Sequence, residues 1–326
     1  MKTIKIHQHH IATFLNCREK FNLSENWCIT SRFKKKELNL GSAFHAGVRE
    51  FKKGNKDFLI EGWKYFNDLI PETQDEVKQI EWGKAVVTAM LMGYADRYSK
   101  NYDIGLLDAE RKISHSIDNI KLIGTPDSIE YNPDGFWIGE EKTTQRLDTD
   151  YVEKLPLDFQ MSFYFLLVNK FYRKKFHGII YRITRVCSLR QKKGQTWDAY
   201  LKEIANDYLE RPEWYFVCEK LYRSDKDIET FKNELVMQVK DLMNCYKTKY
   251  WYRHTRQCTE WGCEFMKYCI DPTQDTLNSF YVQRNDLDKC FSAINKIKVD
   301  RPNLQGKEPI PNGGTTTPAT MDDPPF

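Results

Sequence analysis

"GTPDSIEYNPDGFWIGEEKTT", residues 124–144, decides how this chain folds. Two short runs alternate apolar and polar residues on either side of Asn132-Pro133-Asp134-Gly135, a turn-forming tetrad, so the stretch reads as a strand pair. Side chains on a strand alternate faces, which puts Glu140 and Lys142 on one face and Glu141 on the other. With the hairpin in register, Asp127 approaches the same face, and two carboxylates gather beside one ammonium. Such a set suits Mg²⁺ or Mn²⁺, which takes one or two protein carboxylates and fills its shell with water and substrate phosphate. The cation would lower the pKa of a bound water and neutralise charge developing on phosphoryl oxygens, while Lys142 orients the water or stabilises that charge. The plainer reading is a solvated sheet face.

Outward from this stretch, the front third reads as helical. Residues 9–23 look helical, "LGSAFHAGVREFKK" places Phe44, Val48 and Phe51 on one face, and two longer helices follow, broken around Pro71. From Leu106 the period changes to two. "LLDAERKISHSI", "IKLIGTPDSIEY" and "GFWIGEEKTT" predict three strands of an antiparallel meander. "LDFQMSFYFLLVNKFY" is then a helix, "HGIIYRIT" a strand, and "DIETFKNELVMQVKDLMNCY" a long helix. Strands bracketed by helices predict an α/β core. No internal repeat is found. An apolar fraction of 40% supports a packed core, and the longest apolar stretch, Met161 to Val168 with Ser162 inside it, is far below the roughly 20 residues that span a bilayer. The chain lacks an apolar export signal at its start, so a cytoplasmic location is expected, with no membrane contact. A net charge of +4 does not by itself argue for a nucleic-acid partner.

The spacing Asp127-x(12)-Glu140-x-Lys142, with Pro126 before Asp127, resembles the active site of the PD-(D/E)XK nuclease superfamily. Further residues fall in the order of its RecB-like branch. In "QMSFY", Gln160 and Tyr164 stand one helical turn apart, as does the Gln-x(3)-Tyr pair that faces the active site in that branch. "LGSAFH" sets His45 where the branch carries a metal-reaching histidine, and Glu110 in "LLDAERKI" matches an acidic position on the first strand. The plain alternatives are a core tyrosine, a partly buried polar histidine and a surface glutamate. The resemblance covers roughly residues 9–272 and implies a restriction-endonuclease-like core, a mixed central sheet flanked by helices, with an N-terminal helical part. It also implies metal ligands at Asp127, Glu140 and His45, catalytic roles for Asp127, Glu140, Lys142, Gln160 and Tyr164, and DNA as the substrate. Basic residues such as Lys34, Lys35, Lys36, Arg173, Lys174 and Lys175 could hold the DNA backbone, although such runs are usually solvated.

Nine cysteines in a chain without an export signal point to free thiols or metal ligands. Cys258, Cys263 and Cys269 lie within "CTEWGCEFMKYC", and Cys17 lies far upstream in "FLNCREKFNL". This one-plus-three grouping resembles RecB-like nuclease domains with an iron-sulfur cluster, of the AddB and CRISPR-adaptation-nuclease type. It implies a [4Fe-4S] cluster, with a structural Zn²⁺ as the alternative. The spacing between the first two C-terminal cysteines is wider than in many members, which leaves the cluster type open. Cys28, Cys187, Cys218, Cys245 and Cys290 read as buried small hydrophobes.

Residues 1–295 are thus expected to form the nuclease domain and 296–326 a disordered tail rich in Pro, Gly and Thr. The tail's "MDDPPF" resembles the acidic tip of bacterial single-stranded-DNA-binding proteins. That resemblance makes Asp322, Asp323 and Phe326 a docking element for proteins that bind such tips, against the alternative of a plain polar tail. Two functions follow: a metal-dependent DNA nuclease acting on DNA ends, of a phage or other mobile element, or a non-catalytic DNA-binding scaffold that keeps the fold. The three charged residues at 127, 140 and 142 favour the first.

Overall fold

The computed structural model describes residues 3–32, 40–67, 69–71, 73–99, 105–260 and 262–304. Lys34, Lys35 and Lys36, and the tip residues Asp322, Asp323 and Phe326, lie outside the described residues. The strands, in chain order, are β1 (Ile4–His7), β2 (Ile29–Ser31), β3 (Gly105–Ala109), β4 (Ile113–Ile117), β5 (Ile120–Gly124), β6 (Ser128–Asn132), β7 (Gly135–Thr144), β8 (Phe176–Arg185), β9 (Phe216–Leu221) and β10 (Tyr281–Gln283). The longer helices are α1 (Gln8–Asn16), α2 (Leu40–Lys52), α3 (Phe58–Asn67), α4 (Gln74–Ser99), α5 (Phe159–Tyr172), α6 (Trp197–Glu210) and α7 (Asp225–Thr248). These elements fall into two units, one from residues 3–18 and 40–252, the other from 19–32 and 253–304.

The first unit is built on a five-stranded mixed sheet in the order β3-β6-β7-β8-β9. Only the central pair, β7 with β8, is parallel. A parallel pair needs a crossover, and α5 supplies it. A second, three-stranded sheet, β1-β5-β4, pairs β1 parallel to β5. This is the α/β, restriction-endonuclease-like arrangement that the sequence predicts. The three-strand meander, however, is five strands shared between two sheets. Glu110 takes a left-handed φ of +48° and ends the first run. Pro126, which has no N–H for a ladder, lies in the break between β5 and β6. β4 and β5 therefore leave for the second sheet, and Asp127 lies in the link just before β6 instead of within a strand. The hairpin joining β6 to β7 does form where expected, with Asn132 Oδ1 accepting from the backbone N–H of Asp134 at 2.9 Å and of Gly135 at 3.2 Å.

Apolar spacing explains how the helices cover the sheet. On α2, Ala43, Phe44, Gly47 and Val48 are buried, one stripe at helical period. They join Met90, Tyr94, Tyr200, Tyr208 and Phe216 in one core. At Gly47 a Cβ would sit 2.4 Å from Leu91 Cδ1, so α2 approaches α4 closely enough here that any larger residue must push Leu91 aside. α5 is apolar nearly all round, with Met161 and Phe163 to Val168 buried. Asp158 caps it by accepting from Gln160 N at 2.8 Å.

In the second unit β2 pairs antiparallel with β10, Ser31 opposite Tyr281. Leu23, Ile29, Phe265, Leu277 and Tyr281 form its core, and Leu304 packs against them. Residues 297–304 have neither helix nor strand. Arg301 Nε donates to Asn26 O at 3.0 Å, so contacts with this unit reach into the stretch whose composition predicts disorder. Cys28, Cys187, Cys245 and Cys290 are buried as expected, whereas Cys218 is exposed on the edge strand β9. Among the described residues no helix is long and apolar enough to cross a membrane.

Candidate active site

The first unit brings His45, Asp127, Glu140, Lys142, Gln160 and Tyr164 together. Alternation on β7 sends Glu140 and Lys142 toward α5, where Gln160 meets both. Lys142 Nζ donates to Glu140 Oε1 at 2.5 Å and to Gln160 Oε1 at 3.1 Å, and Gln160 Nε2 donates to Glu140 Oε1 at 2.9 Å. One turn along α5, Tyr164 OH donates to Thr125 O at 3.1 Å and so holds the link that carries Asp127. Asp127 Oδ2 accepts from the backbone N–H of Glu141 at 2.8 Å and lies 3.4 Å from His45 Nδ1 on α2. Glu110 does not join this set through its side chain. It pairs with Arg49 Nη1 at 2.6 Å, while its backbone N–H donates to Asp127 O at 3.0 Å.

The two carboxylates have different environments. Burial pushes the Glu140 carboxyl up to about 8, and the charge of Asp127 adds to this against the opposing pull of Lys142. For Asp127, burial is outweighed by the hydrogen bond and charge of His45, the Glu141 N–H and Lys142, and its carboxyl stays below the usual range. Burial likewise opposes charge on His45 and on Lys142, but Asp127 in the first case and Glu140 in the second hold each pKa above its ordinary value. Burial and then Glu140 raise the Tyr164 phenol.

Glu140, Asp127 and His45 offer the oxygen and nitrogen donors that a divalent cation would take. Glu140 is 1% exposed, and its Oε2 is buried with no hydrogen-bond partner among the described residues. A buried carboxylate oxygen left without a partner is costly, and a hard cation is the partner that a second carboxylate and an imidazole nearby would help to hold.

Sequence reasoning did not find the reverse face of β7. There Glu141 meets Lys52 of α2 at 2.6 Å and Arg182 of β8 at 3.1 Å, and Tyr94 OH donates to it at 3.1 Å. The signal was a charge in the middle of each apolar run, Glu130 in "SIEYN" and Arg182 in "IIYRIT".

The four cysteines of the predicted cluster are divided between the units. Cys17 is buried at the C-terminus of α1, its N–H donating to Thr13 O at 3.0 Å. Cys258, Cys263 and Cys269 are half-buried in the second unit, Cys258 in the helix Thr255–Glu260 and Cys269 in the helix Met266–Ile270.

The mixed sheet flanked by helices is the architecture of a restriction-endonuclease-like core. The family comparison agrees: the PD-(D/E)XK nuclease superfamily matches residues 7–270, and the chain belongs to that superfamily. Among solved structures, the chain is similar to a "Putative exonuclease" from Eubacterium rectale at 11% identity and TM-score 0.40, over 77% of this chain and 84% of that one. It is also similar to the protein SSO0001 at 14% identity and TM-score 0.21, over 61% of this chain and 86% of that one. No curated protein matches the chain.

Proposed function

We propose that the chain is a divalent-metal-dependent deoxyribonuclease of the RecB-like branch that hydrolyses phosphodiester bonds at DNA ends, in the recombination, repair or replication of a phage or other mobile element. The observation that carries the metal centre is the buried Oε2 of Glu140, which has no hydrogen-bond partner among the described residues and feels the charges of Asp127 and His45. Glu140, Asp127 and His45 hold the cation. Mg²⁺ or Mn²⁺ bound there supplies a water of lowered pKa and positive charge at the phosphate. Lys142 adds a fixed positive charge for the oxygens that become more negative during attack. Gln160 keeps Lys142 and Glu140 oriented by accepting from one and donating to the other. Tyr164 fixes the Thr125–Asp127 link, and with it the position of the aspartate.

The same reading takes residues 1–295 as the nuclease domain and 296–326 as its tail. Cys17, Cys258, Cys263 and Cys269 hold a [4Fe-4S] cluster, or a structural Zn²⁺, in a structural role. Asp322, Asp323 and Phe326 recruit proteins that bind the tips of single-strand-binding proteins. The grouping of the cysteines and the "MDDPPF" end support these assignments.

The deciding experiment is cleavage of end-labelled single- and double-stranded DNA with Mg²⁺, with Mn²⁺ and with chelator. Metal-dependent cleavage that Glu140→Ala and Lys142→Ala each abolish is the expected result. Near-wild-type turnover of either variant on every substrate would falsify the site.

A further inference from the structure

The reverse face of the catalytic sheet carries four charged side chains, each 4% exposed or less. Lys52 Nζ donates to Ser128 Oγ at 3.0 Å, to Glu130 Oε1 at 2.8 Å and to Glu141 Oε1 at 2.6 Å. Arg182 donates to both oxygens of Glu130, at 3.1 and 2.7 Å, and to Glu141 Oε1 at 3.1 Å. Burial opposes ionisation of Glu130, but Arg182 and Lys52 outweigh it and hold the carboxyl far below its usual range.

A buried ion cluster contributes little stability compared with apolar residues of the same volume, so stability alone is a weak reason for it. Its geometry is more telling. Ser128 follows Asp127 and Glu141 follows Glu140, so each anchor is one residue from a candidate metal ligand, with the two anchors on β6 and β7. The ammonium that joins them comes from α2, which also carries His45 two turns earlier. All three candidate ligands are thus mounted on backbone that one ammonium ties together.

We propose that Lys52 is a positioning residue: from the reverse face it sets the separation of Asp127, Glu140 and His45, and thereby the affinity of the site for its divalent cation. This rests on the nuclease reading above.

The test uses the full chain and Mn²⁺ as the probe. Lys52→Met/Glu130→Gln removes one cation and one carboxylate, which leaves Arg182 with Glu141 and a neutral cluster. Ser128→Ala removes the acceptor beside Asp127 together with the hydroxyl that donates to Glu130 Oε1 at 2.7 Å, and leaves all four charges. Melting temperature, Mn²⁺ affinity by calorimetry and the metal concentration for half-maximal DNA cleavage are measured for each. The double variant should bind Mn²⁺ at least tenfold more weakly, with the half-maximal metal concentration raised in proportion. Ser128→Ala should bind it severalfold more weakly with little change in melting temperature. If the folded variants bind Mn²⁺ within twofold of wild type, whatever their melting temperatures, Lys52 is structural only and the proposal falls. If the double variant does not fold, Ser128→Ala decides. A wild-type chain that neither binds Mn²⁺ nor cleaves DNA removes the nuclease reading itself, a result distinct from normal affinity in the variants.

Discussion

The backbone N–H of Glu141 donates to Asp127 Oδ2 at 2.8 Å, so the central strand presents one candidate ligand, Glu140, and anchors the other candidate through the next residue. Asp127→Asn keeps an oxygen for that N–H and loses the charge. We expect a variant that melts within a few degrees of wild type, loses Mn²⁺ binding in calorimetry, and cleaves DNA at least about 100-fold more slowly.

Gly139 lies on the reverse face of β7, two residues before Glu141. A Cβ there would lie 2.2 Å from Ser128 Oγ and 2.3 Å from Glu130 Oε1, inside the buried cluster. Gly139→Ala should cost about 1–3 kcal/mol, the usual range for overpacking, read as a lower urea midpoint at unchanged slope.

The depressed pKa of Glu130 has a signed consequence for acid stability. Its carboxylate stays ionised in the folded chain at pH values where the unfolded chain has taken up a proton. Its contribution is therefore complete above about pH 4.5, the ordinary glutamate value, and is lost as pH falls below that. Glu130→Gln should be less stable at neutral pH, by about 3–5 kcal/mol for a broken buried pair, and should lose less further stability on acidification than wild type does. Denaturant titrations between pH 3 and pH 7 measure both; parallel curves would contradict the assignment.

If the four cysteines hold an iron-sulfur cluster, anaerobically purified protein should be brown, with broad visible absorbance. Cys17→Ser or Cys263→Ser should lose the iron and lower the melting temperature. Elemental analysis checks this, and stoichiometric zinc without iron would establish the zinc alternative.

Deleting residues 321–326 should leave cleavage of naked DNA unchanged, because the residues of the candidate site lie far upstream. A "PATMDDPPF" peptide should bind partners of single-strand-binding-protein tips weakly, and Phe326→Ala in the peptide should abolish that binding. Equal binding by both peptides would reduce the tail to a solubilising segment.

What could be read from the sequence was local. Period-two alternation in residues 135–144 put Glu140 and Lys142 on one face, and helical spacing put Gln160 beside Tyr164. The strand breaks at Glu110 and Pro126 were passed over, although Glu110-Arg111-Lys112 and Thr125-Pro126-Asp127-Ser128 interrupt the alternation, because long period-two runs were read as single strands. The short strands β1 and β9 and the helix α6 were missed. β1 is four residues long and is fixed by pairing with β5, more than 100 residues away. The Lys52, Glu130, Glu141 and Arg182 cluster was invisible for a related reason: its members come from α2, β6, β7 and β8, and charges in strands look like solvent-facing positions until the partner element covers them.

The pairing of β2 with β10 sets an order on biosynthesis. Ser31 leaves the ribosome early but cannot meet Tyr281 until nearly the whole chain has been translated, whereas the five-stranded sheet has all its strands by Leu221. The nascent chain can therefore complete its five-stranded sheet while residues 19–32 still wait for their partners. A ribosome stalled between those two points would hold a folded five-stranded sheet while the second unit stayed unclosed, and truncations ending there should expose Leu23 and Ile29 to protease and chaperone.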